Sequence, residues 1–171
     1  KLKNPLYFTE NQHGKYNLHN EMSYYESSQI IINHVLDGIE ICRKYHVPEQ
    51  IIDFARTHHG TRRTEYFYQM ELKENPDMDI NEADFRYHGP IPFSKETAVL
   101  MMAESVEAAS RSLADKTEES INKLIDNIID AQTKDNQFVN TNLTFRDITV
   151  IKKVFKKKLQ NIYHVRIAYP V

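Results

Sequence analysis

Apolar residues recur every three or four positions along most of this chain, and that spacing is what most constrains its fold. One stretch places Ile121, Leu124, Ile125, Ile128 and Ile129 on a single helical face. Because an α-helix repeats every 3.6 residues, such a stripe predicts an amphipathic helix. The chain has 171 residues but only four glycines and six prolines, which argues against an all-β or loop-rich fold. We therefore predict an all-α fold.

Cap residues and prolines divide the chain into about six predicted helices. Ser94, Thr117 and Thr144 are expected to cap helices, and Pro48 fits a first helical turn. The predicted helices cover about 23–45, 48–58, 65–74 and 94–113, then the segments opened by Thr117 and Thr144. In the last helix the residues expected to face the core are Ile148, Ile151, Val154, Phe155 and Leu159. We predict one domain over residues 1–171, a helical bundle.

Two segments lack a helical pattern. Residues 76–93 form a long connection, and long loops without regular structure are often functional. The tail over residues 162–170 is apolar enough to pack on the core or to form a short strand.

Composition narrows the class of protein. The net charge of -2 leaves no electrostatic footprint for duplex nucleic acid, so we expect no such partner. A single cysteine excludes an internal disulfide and fits a reducing compartment. No apolar run approaches the roughly 20 residues that cross a bilayer. Since the chain does not begin with Met, we expect it to be a segment of a longer protein.

Adjacent histidines at a predicted helix end are the clearest functional signal. His58 and His59 immediately precede Gly60, and both imidazoles can turn toward one point. Neutral imidazole is the commonest metal ligand among side chains, so the pair predicts a metal-dependent hydrolase. His34 lies in an apolar helix, where a lone histidine is more often a core residue with one hydrogen bond. Together with a histidine pair elsewhere, it becomes a candidate ligand.

Three charged residues extend this hypothesis. Glu104 lies in a helix rich in apolar and small residues, where burial without a partner would be costly and a metal would offset the cost. The alternative for Glu104 is a solvated helix edge. Arg62 and Arg63 directly follow the histidine turn and are candidates to bind phosphate oxygens, although arginines are common on surfaces.

Several stretches together resemble a known family. They are residues 1–8, 34–38, 56–61, 87–96 and 105–112. They resemble the HD-domain phosphohydrolases and, more closely, the cytoplasmic HD domain of the seven-transmembrane HD receptors. Known members of that family hydrolyse cyclic di-AMP. The likeness runs almost from end to end of the chain.

The resemblance implies a two-metal site. His34, His58 and His59 match family ligands of one divalent ion, and Glu104 falls where the family has an aspartate that completes the other. Histidines and carboxylates suit iron or manganese. The two ions would activate water for in-line attack on phosphorus, giving a linear dinucleotide.

The resemblance also assigns roles around the metals. Asp37 and Arg56 are expected to support the ligands or to face the phosphate as catalytic residues. Arg62, Arg63 and Lys95 are expected to bind the substrate.

One departure concerns the start of the chain. The family's first metal histidine and its His-Asp doublet lie upstream of the position that Lys1 matches, so we expect an N-terminally truncated domain. Such a fragment would hold metal only in part and would be inactive or weak. The parent is expected to be a bacterial inner-membrane protein whose HD domain is cytoplasmic, with this fragment soluble. The alternatives are a noncatalytic nucleotide-binding or signalling module and a phosphohydrolase of another nucleotide.

Overall fold

Six α-helices make up most of the computed structural model, which describes residues 2–3, 5–8 and 18–163. The helices are α1 (Tyr24–Lys44), α2 (Glu49–Thr57), α3 (Glu65–Glu74), α4 (Lys95–Arg111), α5 (Glu118–Lys134) and α6 (Phe145–Ile162). That part of the chain contains no β-strand. The predicted all-α class with about six helices is confirmed. The predicted packing of the tail after residue 163 lies outside the described residues.

The predicted helix starts are confirmed by their caps. The side chains of Ser94, Thr117 and Thr144 each accept a hydrogen bond from a backbone N–H in the first turn of the following helix. Ser23 caps α1 in the same way. Each such cap contributes about 1 kcal/mol to helix stability. Pro48 is the N-cap of α2, directly before its first turn, and no side chain caps that end.

The chain divides into two compact units, Lys1–Pro90 and Ile91–Val171. In the first unit α1 packs against both α2 and α3. The connection expected to be irregular contains a 3₁₀ turn, Glu82–Phe85, which the Asn81 side chain caps. Phe85 in this turn is fully buried, so apolar burial and a cap order a segment that has no helical periodicity.

The second unit packs α5 against α4 and α6 around an apolar core. Ile121, Ile125 and Ile129 are fully buried there, as the stripe on α5 predicted. The prediction that Val154 faces the core is wrong, because its side chain is 46% exposed. Successive residues lie about 100° apart on a helix, so Val154 lies on the solvent side of its neighbour Phe155, which packs on the core.

No helix among the described residues is both long enough and apolar enough to cross a lipid bilayer.

Candidate metal centre

The end of α2 presents two adjacent histidines. Thr57 is the last helical residue, and His58 follows it as the C-cap. The chain then turns at Gly60, whose φ of 55° suits glycine because it has no Cβ. The Gly60 N–H donates to the Thr57 carbonyl at 2.9 Å, which tightens the turn. The side chains of His58 and His59 therefore both extend from the C-terminal end of α2.

A third histidine reaches the pair from α1. His34 is buried, and its Nε2 atom lies 3.1 Å from Nε2 of His58. The ring centroid of His34 lies 5.0 Å from that of His59. Each of the three residues offers a ligand nitrogen, and these nitrogens all lie within 4.8 Å of one another. Packing of α1 on α2 thus gathers a group of three histidines that is able to bind a metal ion.

The other ring nitrogens set the protonation of two of these histidines. Nδ1 of His58 donates to the Ala55 carbonyl at 2.7 Å, and Nδ1 of His34 donates to the Ile31 carbonyl. A neutral imidazole that donates through Nδ1 carries its lone pair on Nε2. Both Nε2 atoms then present lone pairs toward each other, so neither can donate to the other.

A metal cation bound by both Nε2 atoms would remove the repulsion between their lone pairs. Two nitrogens at about 2.1 Å from one ion lie about 3.4 Å apart in tetrahedral geometry, comparable with the 3.1 Å between the Nε2 atoms of His34 and His58. Backbone carbonyls that hold the Nδ1–H groups are the usual outer partners of metal-binding histidines. The residues present therefore fit a divalent transition metal.

Aromatic rings form the wall of this cluster. The Tyr87 ring is stacked on His59, with centroids 4.3 Å apart and planes 16° apart. Phe8 is buried and meets His34 edge-on at 5.4 Å. Sequence reasoning assigned no role to either ring. The Tyr87 N–H donates to the Arg62 carbonyl at 2.9 Å, a pairing between distant segments that has no local sequence signal.

Tyr87 is expected to orient His59 through this stack. Tyr87→Leu should lower the affinity for Co²⁺ by roughly two- to tenfold, the worth of one aromatic pair, whereas Tyr87→Phe should keep it. Titration of the apo-protein with Co²⁺, followed by visible absorbance, measures the difference. Equal affinities for the Leu variant and the unmodified chain would exclude an orienting role.

A cavity of about 250 Å³ adjoins the histidines. His34 and His58 form part of its wall, and the rest is mainly apolar, including Val35, Ile41 and Ala55. The two histidines thus stand at the edge of an apolar space, where electrostatic interactions are stronger than in bulk water.

The two residues predicted to be catalytic form ion pairs in the first unit. The Asp37 carboxylate accepts from Lys3 Nζ at 2.7 Å, and this bond is the main reason that the pKa of Lys3 is raised. The Arg56 guanidinium pairs with Asp53 at 2.9 Å and with Glu49 at 3.0 Å. Their predicted catalytic roles stay predictions.

The two arginines after the histidines differ in their surroundings. Arg63 pairs with Glu65 at 2.8 Å and with Glu82 at 2.9 Å, and its guanidinium lies 4.1 Å from the Tyr68 ring centroid. Hydrogen bonding from Arg86, together with the charge of Arg63, holds the pKa of the Glu82 carboxyl below its usual value. Arg62 is half-buried and forms no ion pair within the part of the chain that the structure describes.

The remaining predicted site residues lie in the second unit. Glu104 is half-buried in α4. Lys95, in the first turn of α4, pairs with Asp147 at 2.9 Å. The backbone N–H of Thr144 and the Lys95 ammonium hold the pKa of the Asp147 carboxyl well below its usual range. The roles predicted for Glu104 and Lys95 stay predictions.

Comparison with known sequences identifies relatives along the whole chain. No family model matches. Over 170 residues, 99% of this chain, it is 42% identical to the cyclic-di-AMP phosphodiesterase PgpH of Listeria monocytogenes and covers 23% of that protein. It is 43% identical over 170 residues to PgpH of Bacillus subtilis, again 99% of this chain, and covers 24% of that protein. The chain spans about a quarter of the length of these curated relatives.

Solved structures agree with the sequence relatives. The crystal structure of the L. monocytogenes PgpH HD domain has a TM-score of 0.87 and 41% identity, covering 94% of this chain and 74% of that one. The same domain in complex with cyclic-di-AMP has a TM-score of 0.89 and 41% identity, covering 93% of this chain and 73% of that one. On this identity and coverage, the chain belongs to the family of the PgpH HD domain, among the HD-domain phosphohydrolases.

Proposed function

We propose that this chain forms part of a metal-dependent phosphodiesterase that hydrolyses cyclic di-AMP to the linear dinucleotide. The observation that carries the proposal is the group of His34, His58 and His59, whose ligand nitrogens lie within 4.8 Å of one another. The relatives support the substrate, because two of them are named cyclic-di-AMP phosphodiesterases and one HD domain was crystallised with cyclic-di-AMP.

The three histidines would hold one divalent ion, iron or manganese, and Glu104 would contribute to a second. When bound, such ions supply Lewis acidity and lower the pKa of water. Backbone carbonyls accept hydrogen bonds from Nδ1 of His34 and His58 and so keep these nitrogens protonated. The Nε2 atom of each histidine then stays available to bind the ion.

The contribution of Glu104 is testable separately from the histidines. Glu104→Gln removes the charge while keeping the shape, and we expect it to lower the metal content of the full-length protein from about two ions to about one. Glu104→Asp, which restores the residue typical of the family, should keep two. Elemental analysis of the purified variants checks this. Two ions in the Gln variant would remove Glu104 from the ligand set.

Arg62 would bind a phosphate of the dinucleotide, whereas Arg63 would mainly stabilise the fold. Arg62→Ala is expected to raise KM for cyclic di-AMP by roughly tenfold or more, the worth of a hydrogen bond to a charged group. Arg63→Ala should instead lower the free energy of unfolding by about 1 kcal/mol, since its carboxylate partners are exposed. Steady-state kinetics and urea denaturation of both variants separate the roles. An unchanged KM for Arg62→Ala contradicts its assignment.

The chain would work within a larger protein. We propose that residues 1–171 belong to one HD domain, cytoplasmic in a protein anchored in a bacterial inner membrane. The coverage of only 23% and 24% of the PgpH relatives supports a domain within a larger protein.

The proposed reaction is tested with cyclic di-AMP and the full-length protein loaded with Mn²⁺ or Fe²⁺. We expect one linear dinucleotide per substrate consumed, resolved by ion-pair chromatography. Binding of cyclic di-AMP without turnover under either metal would identify a noncatalytic module. Preferential hydrolysis of a nucleoside polyphosphate in competition would assign a different substrate.

A further inference from the structure

The last described helix has an unusual charge balance. The chain as a whole carries a net charge of -2, yet its sequence contains no Asp or Glu after Asp147. The stretch that follows includes the five lysines Lys152, Lys153, Lys156, Lys157 and Lys158. Positive charge is therefore concentrated on helix α6, whereas the chain as a whole has a slightly negative net charge.

Two of these lysines have structural partners on α5. Lys152 Nζ lies 2.6 Å from the Asp130 carboxylate, and Lys156 Nζ lies 2.6 Å from that of Asp126. These pairs join the inner edge of α6 to its neighbour, so their presence is explained by packing within the unit.

The other cations of α6 are not explained by packing. Arg146, Lys153, Lys157 and Lys158 are exposed, and none of them forms an ion pair with any described residue. At 100° per residue, the first three fall within about 40° of one another around the helix. They form a row along the solvent side of α6.

Exposed apolar side chains accompany this row. Val150 and Val154 lie beside it, with exposed fractions of 52% and 46%. Phe145, which flanks the row in the first turn of the helix, is 87% exposed. The solvent side of α6 thus combines a row of cations with exposed apolar groups at its edges.

We propose that this outer face of α6 binds the surface of an anionic phospholipid bilayer. Clustered lysines are attracted by the negative potential of such a surface, and lysine stems can lie along apolar groups while the ammonium reaches phosphate. A nucleic acid would also attract the cations, but its phosphates would gain nothing from Phe145, Val150 and Val154. The interface of a bilayer offers both an anionic layer and apolar depth.

The proposal is tested by sedimentation of the 171-residue chain with sucrose-loaded vesicles. Vesicles of phosphatidylglycerol and phosphatidylcholine should bind the chain, and vesicles of phosphatidylcholine alone should not. In the variant Lys153→Gln, Lys157→Gln, Lys158→Gln, we expect the partition coefficient to fall by roughly a hundredfold at low salt. Circular dichroism should stay unchanged, since these side chains are exposed.

The matched control removes the same charge elsewhere. Lys73, Lys123 and Lys134 are exposed helical lysines without an ion pair among the described residues, and their replacement by Gln should leave binding within about threefold of the unmodified chain. An equal loss of vesicle binding in the control variant would mean that binding depends only on the net charge of the chain, and this would overturn the proposal.

The apolar part of the surface has its own test. Phe145→Ser with Val154→Ser should weaken vesicle binding that persists at 0.3 M salt, where the charge contribution is screened. Binding of a single-stranded RNA with no binding of anionic vesicles would overturn the proposal in favour of a nucleic-acid surface.

Discussion

His58→Ala is expected to abolish metal binding by the histidine group and phosphodiesterase activity of the full-length protein. The variant removes the nitrogen that faces His34 Nε2 at 3.1 Å and leaves only two histidines in the group. We expect metal affinity to fall by at least about a hundredfold, since even outer partners of such ligands are worth roughly 10- to 100-fold. Isothermal titration with Mn²⁺ and a turnover assay measure the two losses.

The control for this variant is another histidine of the same unit. His88 is exposed, so His88→Ala should leave both metal affinity and turnover within about twofold. Circular dichroism distinguishes a lost ligand from a lost fold, because His58 is the C-cap of α2 and its replacement is expected to leave the helices intact. A His58→Ala protein that has lost its helicity would make this histidine structural and would withdraw the metal assignment.

Part of the candidate site was predictable because its signal is local. His58 and His59 are neighbours in the sequence, and Gly60 marks the turn that presents them. His34 is 24 residues away, and only the packing of α1 on α2 brings its ring to the pair. Its apolar surroundings allowed either a core residue or a ligand, and the family resemblance favoured the second.

The aromatic wall of the site could not be predicted from local patterns. Tyr87 reaches His59 because Arg63 and Arg86 form an antiparallel bridge, which joins the segment between α2 and α3 to the connection between α3 and α4. That pairing depends on the buried Phe85 and on backbone hydrogen bonds such as Thr64 N–H to the Phe85 carbonyl at 2.8 Å. Neither hydrophobic periodicity nor turn composition signals such an arrangement.

The fold could be predicted from the sequence more completely than the site, because the sequence signals of a helix repeat along the chain. Ser94, Thr117 and Thr144 marked helix starts correctly, since a side-chain cap acts within one turn of the chain. Val154 was assigned to the wrong face because α6 carries apolar residues around more than half of its circumference, so the spacing alone does not define one stripe. Buried Leu159 and exposed Val154 are both apolar, and only packing separates them.

Ile125→Ala is expected to cost the second unit about 3 kcal/mol of unfolding free energy. Ile125 is fully buried between other apolar residues of α4, α5 and α6, so the change leaves a cavity as well as losing the transfer energy of three carbons. Urea denaturation followed by circular dichroism measures the loss.

Ile162→Ala provides the matched comparison, because it makes the same chemical change at a residue that is 61% exposed. We expect it to alter the unfolding free energy by less than about 0.5 kcal/mol, since little apolar area leaves the interior and alanine favours a helix. Equal costs at the two positions would mean that the α5 stripe does not form the core of this unit. A large loss of unfolding free energy at Ile125 alone would instead show that the residues of the 3.6-residue apolar pattern stabilise this unit. The same unit carries Glu104 and the basic face of α6.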